Sequence, residues 1–401
     1  MCRLRCSPAP TVRSHIYLGS PAILRLPSGE LIATADRFGP GFKGSPRNVS
    51  LYRDNLSNGS SWQFHTWVLG QYWSNLFEQG GAVWLLGTAT DGPAPIKISR
   101  SPDGLNWPDA DTAILSNDTY NTGPTPTLLS GGRLYRAMER FRKPYKWGKD
   151  YEAMCIHADA TADLLDPASW TVSASLPLDP KWFPFEMSNA GYLEGNMVEG
   201  PAGELYNILR LNSMPEVGNK AVRLRFDSGT NAFAFDKLLD LPGGHTKFVI
   251  HKDPATGLYW TLSNLNTDST YTDQRNLLVL AVSPDTTDWH VLEPLLYDDT
   301  GLDPQDSVRY TGFHYVDWQF DGPSDLIYAV RTGYRGSNSY HNSNRLTYKR
   351  LPDFRAKAKG LLGLAVAAAA LSPPFDRVVT NYTATVPANA TEIRVVLAVK
   401  R

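Results

Sequence analysis

The sequence predicts an all-β chain folded as a β-propeller. Three observations carry that expectation: a turn that recurs in a fixed frame, a glycine hairpin that recurs along the chain, and a composition rich in aromatic residues. The turn is Ser101-Pro102-Asp103-Gly104-Leu105-Asn106-Trp107, and Ser283-Pro284-Asp285-Thr286-Thr287-Asp288-Trp289 has the same frame. Degenerate copies run from Asn58 to Trp62 and from Asp166 to Trp170. An Asp or Asn side chain at that place accepts backbone N–H bonds two residues on and closes a tight turn. The Trp four residues later folds back over the turn and buries its ring. Hairpins are centred on Gly29, Gly81, Gly132, Gly203 and Gly257, spaced by 52, 51, 71 and 54 residues. Units that repeat at this interval stack as small sheets.

Taken in order, residues 1–16 are an N-terminal tail. Residues 17–354 are the propeller, counted as six blades over 17–66, 67–116, 120–176, 190–238, 240–296 and 307–354. Each opens with a hairpin such as Pro27-Ser-Gly-Glu-Leu-Ile32 or Pro201-Ala-Gly-Glu-Leu-Tyr206, and most add a second strand pair to make four strands. The count becomes seven if the long interval between the third and fourth hairpins hides a further blade. Residues 355–359 form a basic linker. Residues 360–401 carry Leu371-Ser-Pro-Pro-Phe-Asp376 and Asn381-Tyr-Thr-Ala-Thr-Val-Pro387. They resemble the opening half of a cadherin-like β-sandwich module, too short for the roughly 100 residues of a full sandwich. Taken alone, the alanine run within them reads as a short helix.

The chain has 401 residues, 42% hydrophobic and 11% aromatic, with 11 Trp and 19 Tyr. That supports a large core and suits sugar stacking. Lys+Arg 39 against Asp+Glu 40 gives a net charge of -1, which argues against a nucleic-acid partner. Cys2, Cys6 and Cys155 make no disulfide framework and no zinc spacing. No cofactor or metal is implied, a structural Ca2+ being left open, and the chain reads as a monomer acting on a glycan. Sequons at Asn48, Asn58, Asn117, Asn381 and Asn389 point to the secretory pathway or the extracellular space, although no signal peptide is visible. The longest apolar run, Gly360–Leu371, has 12 residues, too few to span a bilayer.

Propeller geometry places the start of each inner strand and the end of each second strand at one mouth, because the two are antiparallel. The recurring Asp turns then lie at the opposite end. Residues expected at the mouth include Arg136, Arg210 and Arg331, read as equivalent places in three blades. Such a cluster suits a carboxylate ligand; the plainer alternative pairs each Arg with a carboxylate such as Glu139 or Glu194. His245 and Lys247, in Gly243-Gly244-His245-Thr246-Lys247-Phe248, are read as sharing one side of a strand and as candidate base and electrostatic stabiliser. Glu194, Tyr315 and Tyr334 are further catalytic candidates. Trp73, Asn121, Asn196, Asp317 and His341 are candidate substrate-binding residues.

Tyr17-Leu-Gly-Ser-Pro-Ala-Ile-Leu-Arg25 looks like the first blade of sialidase-like propellers, and the Asp turns resemble the Asp box of the same superfamily. Sialidases carry an Arg where this chain has Leu18-Gly19-Ser20-Pro21, a departure that argues against ordinary sialidase activity. Gly70-Gln-Tyr-Trp-Ser74, Leu193-Glu-Gly-Asn196, Gly243-Gly-His-Thr-Lys-Phe248 and Tyr315-Val-Asp-Trp-Gln-Phe-Asp321 resemble the related propeller enzymes that remove terminal rhamnose from glucuronate, some lyases and some hydrolases. The resemblance implies an exo-acting carbohydrate enzyme on uronate-containing glycans, by β-elimination. A glycoside hydrolase or a non-catalytic carbohydrate-binding propeller are the alternatives. Ala35 and Asn121 stand where that family would lead one to expect histidines, which puts a histidine-based hydrolase in doubt.

Overall fold

The computed structural model describes residues 16–42, 48–56, 58–90, 94–107, 112–141, 146–184, 190–212, 218–271 and 273–358, together with the backbone of four short strands beyond them. Cys2 and Cys6 lie outside the described residues. Strands β1 (Tyr17–Arg25), β2 (Leu31–Phe38), β3 (Asn48–Asp54) and β4 (Trp62–Leu69) form an antiparallel sheet in chain order. A nine-stranded sheet follows. It contains β5 (Tyr72–Gln79), β6 (Ala82–Thr88), β7 (Ala94–Ser101), β8 (Thr112–Asn121), β9 (Leu128–Ser130), β10 (Arg133–Phe141), β11 (Tyr151–Asp159), β12 (Thr171–Val172) and β13 (Leu176–Pro177). Next come β14 (Gly191–Glu199), β15 (Leu205–Asn212), β16 (Lys220–Asp227) and β17 (Ala232–Asp240), then β18 (Val249–Lys252), β19 (Tyr259–Asn264), β20 (Leu277–Ser283) and β21 (His290–Tyr297). After the short helix α1 (Pro304–Tyr310), the strands β22 (Gly312–Asp321), β23 (Asp325–Gly333) and β24 (Arg345–Leu351) make a three-stranded sheet.

The expected six four-stranded blades are therefore not met strand for strand. The second and third units merge into one sheet because β8 pairs with β7 on one side, out to Tyr120, and with β10 on the other at Tyr120 and Asn121. The last unit has three strands. The long interval after the third hairpin holds two 3-10 turns and the short strands β12 and β13, and no further four-stranded sheet appears there among the described residues.

The ring closes because β1 packs against both β5 and β22, β10 against β14, β14 against β18, and β18 against β22. Apolar clusters fill the gaps. Trp260, Leu262 and Val249 meet Trp318, Val330 and Phe354 in one of them. Leu31, Ala33 and Tyr52 meet Ile327, Ala329 and Tyr348 in the gap that joins the last sheet to the first. Alternate residues of β23 thus face different neighbours, so a second strand is buried on both sides and reads as a continuous apolar run. Trp318 is fully buried and donates from its indole to Val249 O at 3.0 Å.

The recurring turns form as their residues dictate. Asp103 Oδ1 accepts from Leu105 N and Asn106 N, both at 2.8 Å, and the Trp107 indole donates to Gly104 O at 3.0 Å. Asp285 and Trp289 repeat the arrangement, with bonds from Thr287 N and Asp288 N and from the indole to Thr286 O. The two turns link β7 to β8 and β20 to β21, at the end of the ring opposite the starts of the inner strands. Beyond the ring, Leu361–Val366 pairs antiparallel with Val395–Val399, and Leu371–Ser372 with Thr383–Ala384. The alanines expected to favour a helix, 367–370, lie outside the described residues.

Candidate active site

Four inner strands share one irregularity. In β1, β5, β14 and β22 the register slips near the start, so two residues oppose one on the partner strand. Such a bulge leaves its first residue out of the ladder and re-aims its side chain. The first bulge residues are Gly19, Trp73, Glu194 and Tyr315. The last three have φ of 46°, 56° and 50°, the left-handed region that costs a non-glycine residue of order 1–3 kcal/mol. At Gly19 a Cβ would sit 2.6 Å from Asp36 Cβ, so the first sheet sends no side chain inward there. The identities differ while the register slip repeats. Trp73, Glu194 and Tyr315 line one solvent-open pocket, together with Asn121, Thr122, Gly123, Pro124, Leu193 and Trp147.

Within it, the Tyr315 hydroxyl donates to Glu194 Oε1 at 2.7 Å, and Arg210 Nη1 donates to Glu194 Oε2 at 3.0 Å. Glu194 and Arg210 are both buried, whereas Tyr315 is half-buried and reachable. Three guanidiniums surround the Tyr315 side chain. Arg331 lies 5.1 Å and Arg275 6.0 Å from its ring, and Arg210 reaches it through Glu194. Burial and the Glu194 charge raise the Tyr315 pKa, while the three arginines pull it back down. Burial works against the charge on Arg210, but Glu194, Tyr315 and Asp273 together outweigh it and raise the pKa above its ordinary value. Arg331 Nη2 donates to His341 O at 2.7 Å and its guanidinium lies 4.5 Å from the Phe38 ring, while Nε has no hydrogen-bond partner among the described residues.

The arginine set differs from the one expected. Arg210 and Arg331 are indeed equivalent, each opposite the residue just before a bulge, Leu193 and His314. The third in that register is Arg37, opposite Leu18. Its guanidinium lies 3.7 Å from the Trp67 ring. Arg136 does not join the cluster. It is fully buried and donates to Gly123 O, Thr125 O and Thr122 Oγ1, tying down the turn beneath the pocket wall. Arg275 takes the third place beside Tyr315. Asp273 Oδ1 accepts from it at 2.8 and 3.0 Å, and its Nη1 lies 3.2 Å from His314 Nδ1. It sits between β19 and β20, outside the strand ends from which mouth residues were sought, and no sequence signal marks it.

Other expected residues fall elsewhere. His245 and Lys247 lie in the turn before β18, not on one side of a strand. Gly243, at φ 77°, opens that turn where a Cβ would meet Asn264 O at 2.6 Å. The His245 carbonyl accepts from Arg210 Nε at 2.9 Å, Nδ1 accepts from Asn219 N at 3.2 Å, and burial lowers the ring pKa to about 3. Lys247 Nζ donates to Val316 O at 2.5 Å, and burial lowers its pKa to about 8. Asn196 and Asp317 tie neighbouring inner strands together: Asn196 Oδ1 accepts from Ile250 N at 3.1 Å and Asp317 Oδ2 from Ile23 N at 2.8 Å. The Tyr334 hydroxyl donates to Asp299, away from Glu194. His341 is exposed, its ring 5.2 Å from Phe38. Glu139 accepts from Asn121 Nδ2 and from Glu194 N, both at 2.7 Å, and burial raises its pKa to about 7. It is completely buried behind the pocket wall. Among the described residues no group of three or more His, Cys, Asp or Glu side chains is placed to hold a metal ion.

No family model matches the chain, and no curated protein matches it. Solved structures do resemble its fold. A Dyadobacter fermentans protein of unknown function is 13% identical, with a TM-score of 0.55 over 85% of this chain and 96% of that one. An α-L-arabinanase from Penicillium chrysogenum, complexed with arabinobiose, is 13% identical, with a TM-score of 0.54 over 88% and 97%. A Hadza microbial sialidase is 14% identical, with a TM-score of 0.57 over 85% of this chain and 66% of that one.

Proposed function

Starting from a β-propeller whose mouth presents a base-paired tyrosine among arginines, we propose that the chain is a carbohydrate-active enzyme that cleaves a glycan at a carboxylate-bearing sugar, by β-elimination that releases the sugar attached to it. The observation that carries this reading is the 2.7 Å bond from Tyr315 to Glu194 inside the ring of Arg210, Arg275 and Arg331. Arg210 and Arg275 are already paired with Glu194 and Asp273, so on this reading Arg331 takes the substrate carboxylate. The three together stabilise the charge that spreads into it when the adjacent C5 proton leaves. Tyr315 passes its phenolic proton to Glu194 as it takes the C5 proton. The C4–O bond then breaks, the C4–C5 double bond forms, and Tyr315 protonates the leaving oxygen; Glu194 returns the stored proton. One reachable residue thus serves as base and acid in turn. Trp73 and Trp147 offer faces for the sugar rings. The segment 360–401 reads as part of an accessory sandwich module.

A second reading is hydrolysis, favoured by the glycosidases named among the structures of similar fold. Most such enzymes need two carboxyl groups flanking the scissile bond. Here Glu139 is buried behind the wall, which leaves Tyr315 as the nucleophile on this reading. Incubation with rhamnose-capped arabinogalactan separates the readings. Free rhamnose with a growing ultraviolet absorbance of unsaturated uronate supports elimination. Free rhamnose without that absorbance supports hydrolysis, and binding without release leaves a carbohydrate-binding propeller.

A further inference from the structure

The left-handed bulges that shape the mouth are each met by a buried charge from the preceding strand pair. Asp36 on β2 accepts from Trp73 N at 2.9 Å. Glu139 on β10 accepts from Glu194 N at 2.7 Å. Lys247, ahead of β18, donates to Val316 O at 2.5 Å, the carbonyl of the second residue in the bulge that Tyr315 opens. All three side chains are buried, at 1%, 0% and 1% exposure. The order is regular: first unit to second, third to fourth, fifth to sixth.

We propose that Asp36, Glu139 and Lys247 are positioning residues, through which one strand pair sets the backbone of the next pair's bulge and so the aim of Trp73, Glu194 and Tyr315. A bulge residue loses its ladder partner, and its buried N–H or C=O needs another. A buried carboxyl or ammonium side chain supplies it, so the left-handed backbone is held from outside its own sheet. Glu139 does more than fill space: its second oxygen accepts from Asn121 Nδ2, another pocket residue, so one carboxylate fixes two walls of the pocket. The consequence for turnover rests on the reaction proposed above; the consequence for the backbone does not.

The test compares Glu139→Gln with Glu139→Leu. Gln keeps a carbonyl oxygen for Glu194 N, whereas Leu fills the volume and accepts nothing. Crystal structures and thermal midpoints are measured for both, with kcat and KM on rhamnose-capped arabinogalactan. Glu139→Leu is expected to release Glu194 from positive φ, to part it from Tyr315, and to lower kcat by about 100-fold, the size of effect that a misplacement near 1 Å produces. Glu139→Gln is expected to keep the backbone and most of kcat. A folded Glu139→Leu whose Glu194 stays left-handed on Tyr315 overturns the proposal, as does a Gln variant as displaced as the Leu variant. If Glu139→Leu does not fold, Asp36→Asn against Asp36→Leu, read at the φ of Trp73, decides in the same way. If the wild-type protein turns over no uronate-capped glycan, the proposed reaction fails alone and the crystallographic comparison still decides this inference.

Discussion

The two ends of the ring are built from the same strands, yet they solve opposite problems. At one end, the turns around Asp103 and Asp285 use up their polar atoms within a few residues. At the other, hydrogen bonds cross from one strand pair to the next, three inner-strand bulge residues sit at positive φ, and Arg331 Nε and His245 Nε2 have no partner among the described residues. A repeated motif with repeated residues is architecture. A repeated left-handed bulge with different residues, Trp73, Glu194 and Tyr315, is where specific chemistry can be placed without disturbing the ring.

Substitutions at the two ends should therefore separate activity from stability. The largest effect is expected for Tyr315→Phe, which removes the hydroxyl on Glu194. Turnover of a uronate-capped glycan should fall by about 100- to 10,000-fold, with the thermal midpoint nearly unchanged; retained turnover would remove Tyr315 from the chemistry. Arg210→Met should break both. It leaves the buried Glu194 carboxylate without its ion pair, at a cost of about 3–5 kcal/mol, measurable by urea denaturation. A smaller loss would mean that the Tyr315 hydroxyl alone suffices for Glu194.

Glu139 gives the comparison a pH axis. Its folded pKa, raised to about 7 from 4.5, favours the protonated carboxyl in the folded state. Its contribution to stability is therefore full below about 4.5 and declines as pH rises toward about 7. Thermal midpoints of Glu139→Gln, scanned across that window, should fall less steeply than those of the wild type. Parallel slopes would assign the pH dependence to other groups. The smallest effect is expected at the far end. Asp103→Ala removes local bonds from a surface turn and should cost about 1 kcal/mol in a denaturation curve while leaving kcat unchanged; a change in kcat would mean that the two ends communicate.

The sequence by itself determined the architecture. Local rules suffice for a turn whose Asp caps its own next residues and whose Trp folds back over it, and for hairpins that recur at near-constant spacing. The end at which the mouth lies follows from those units, because antiparallel neighbours leave few alternatives; the merging of the second and third units and the three-stranded form of the last did not. The pairing of Glu194 with Tyr315 was not legible, although both were suspected. They are 121 residues apart, and period-two alternation misplaces their side chains because a bulge interrupts each strand. Arg37, not Arg136, holds the register of Arg210 and Arg331. Arg275 gave no signal because it enters from between strands. Tertiary structure alone decided which charges face the pocket and which are consumed holding the backbone. Burial makes that division: a charged group far from water is kept only where a partner, in another part of the chain, is already in place.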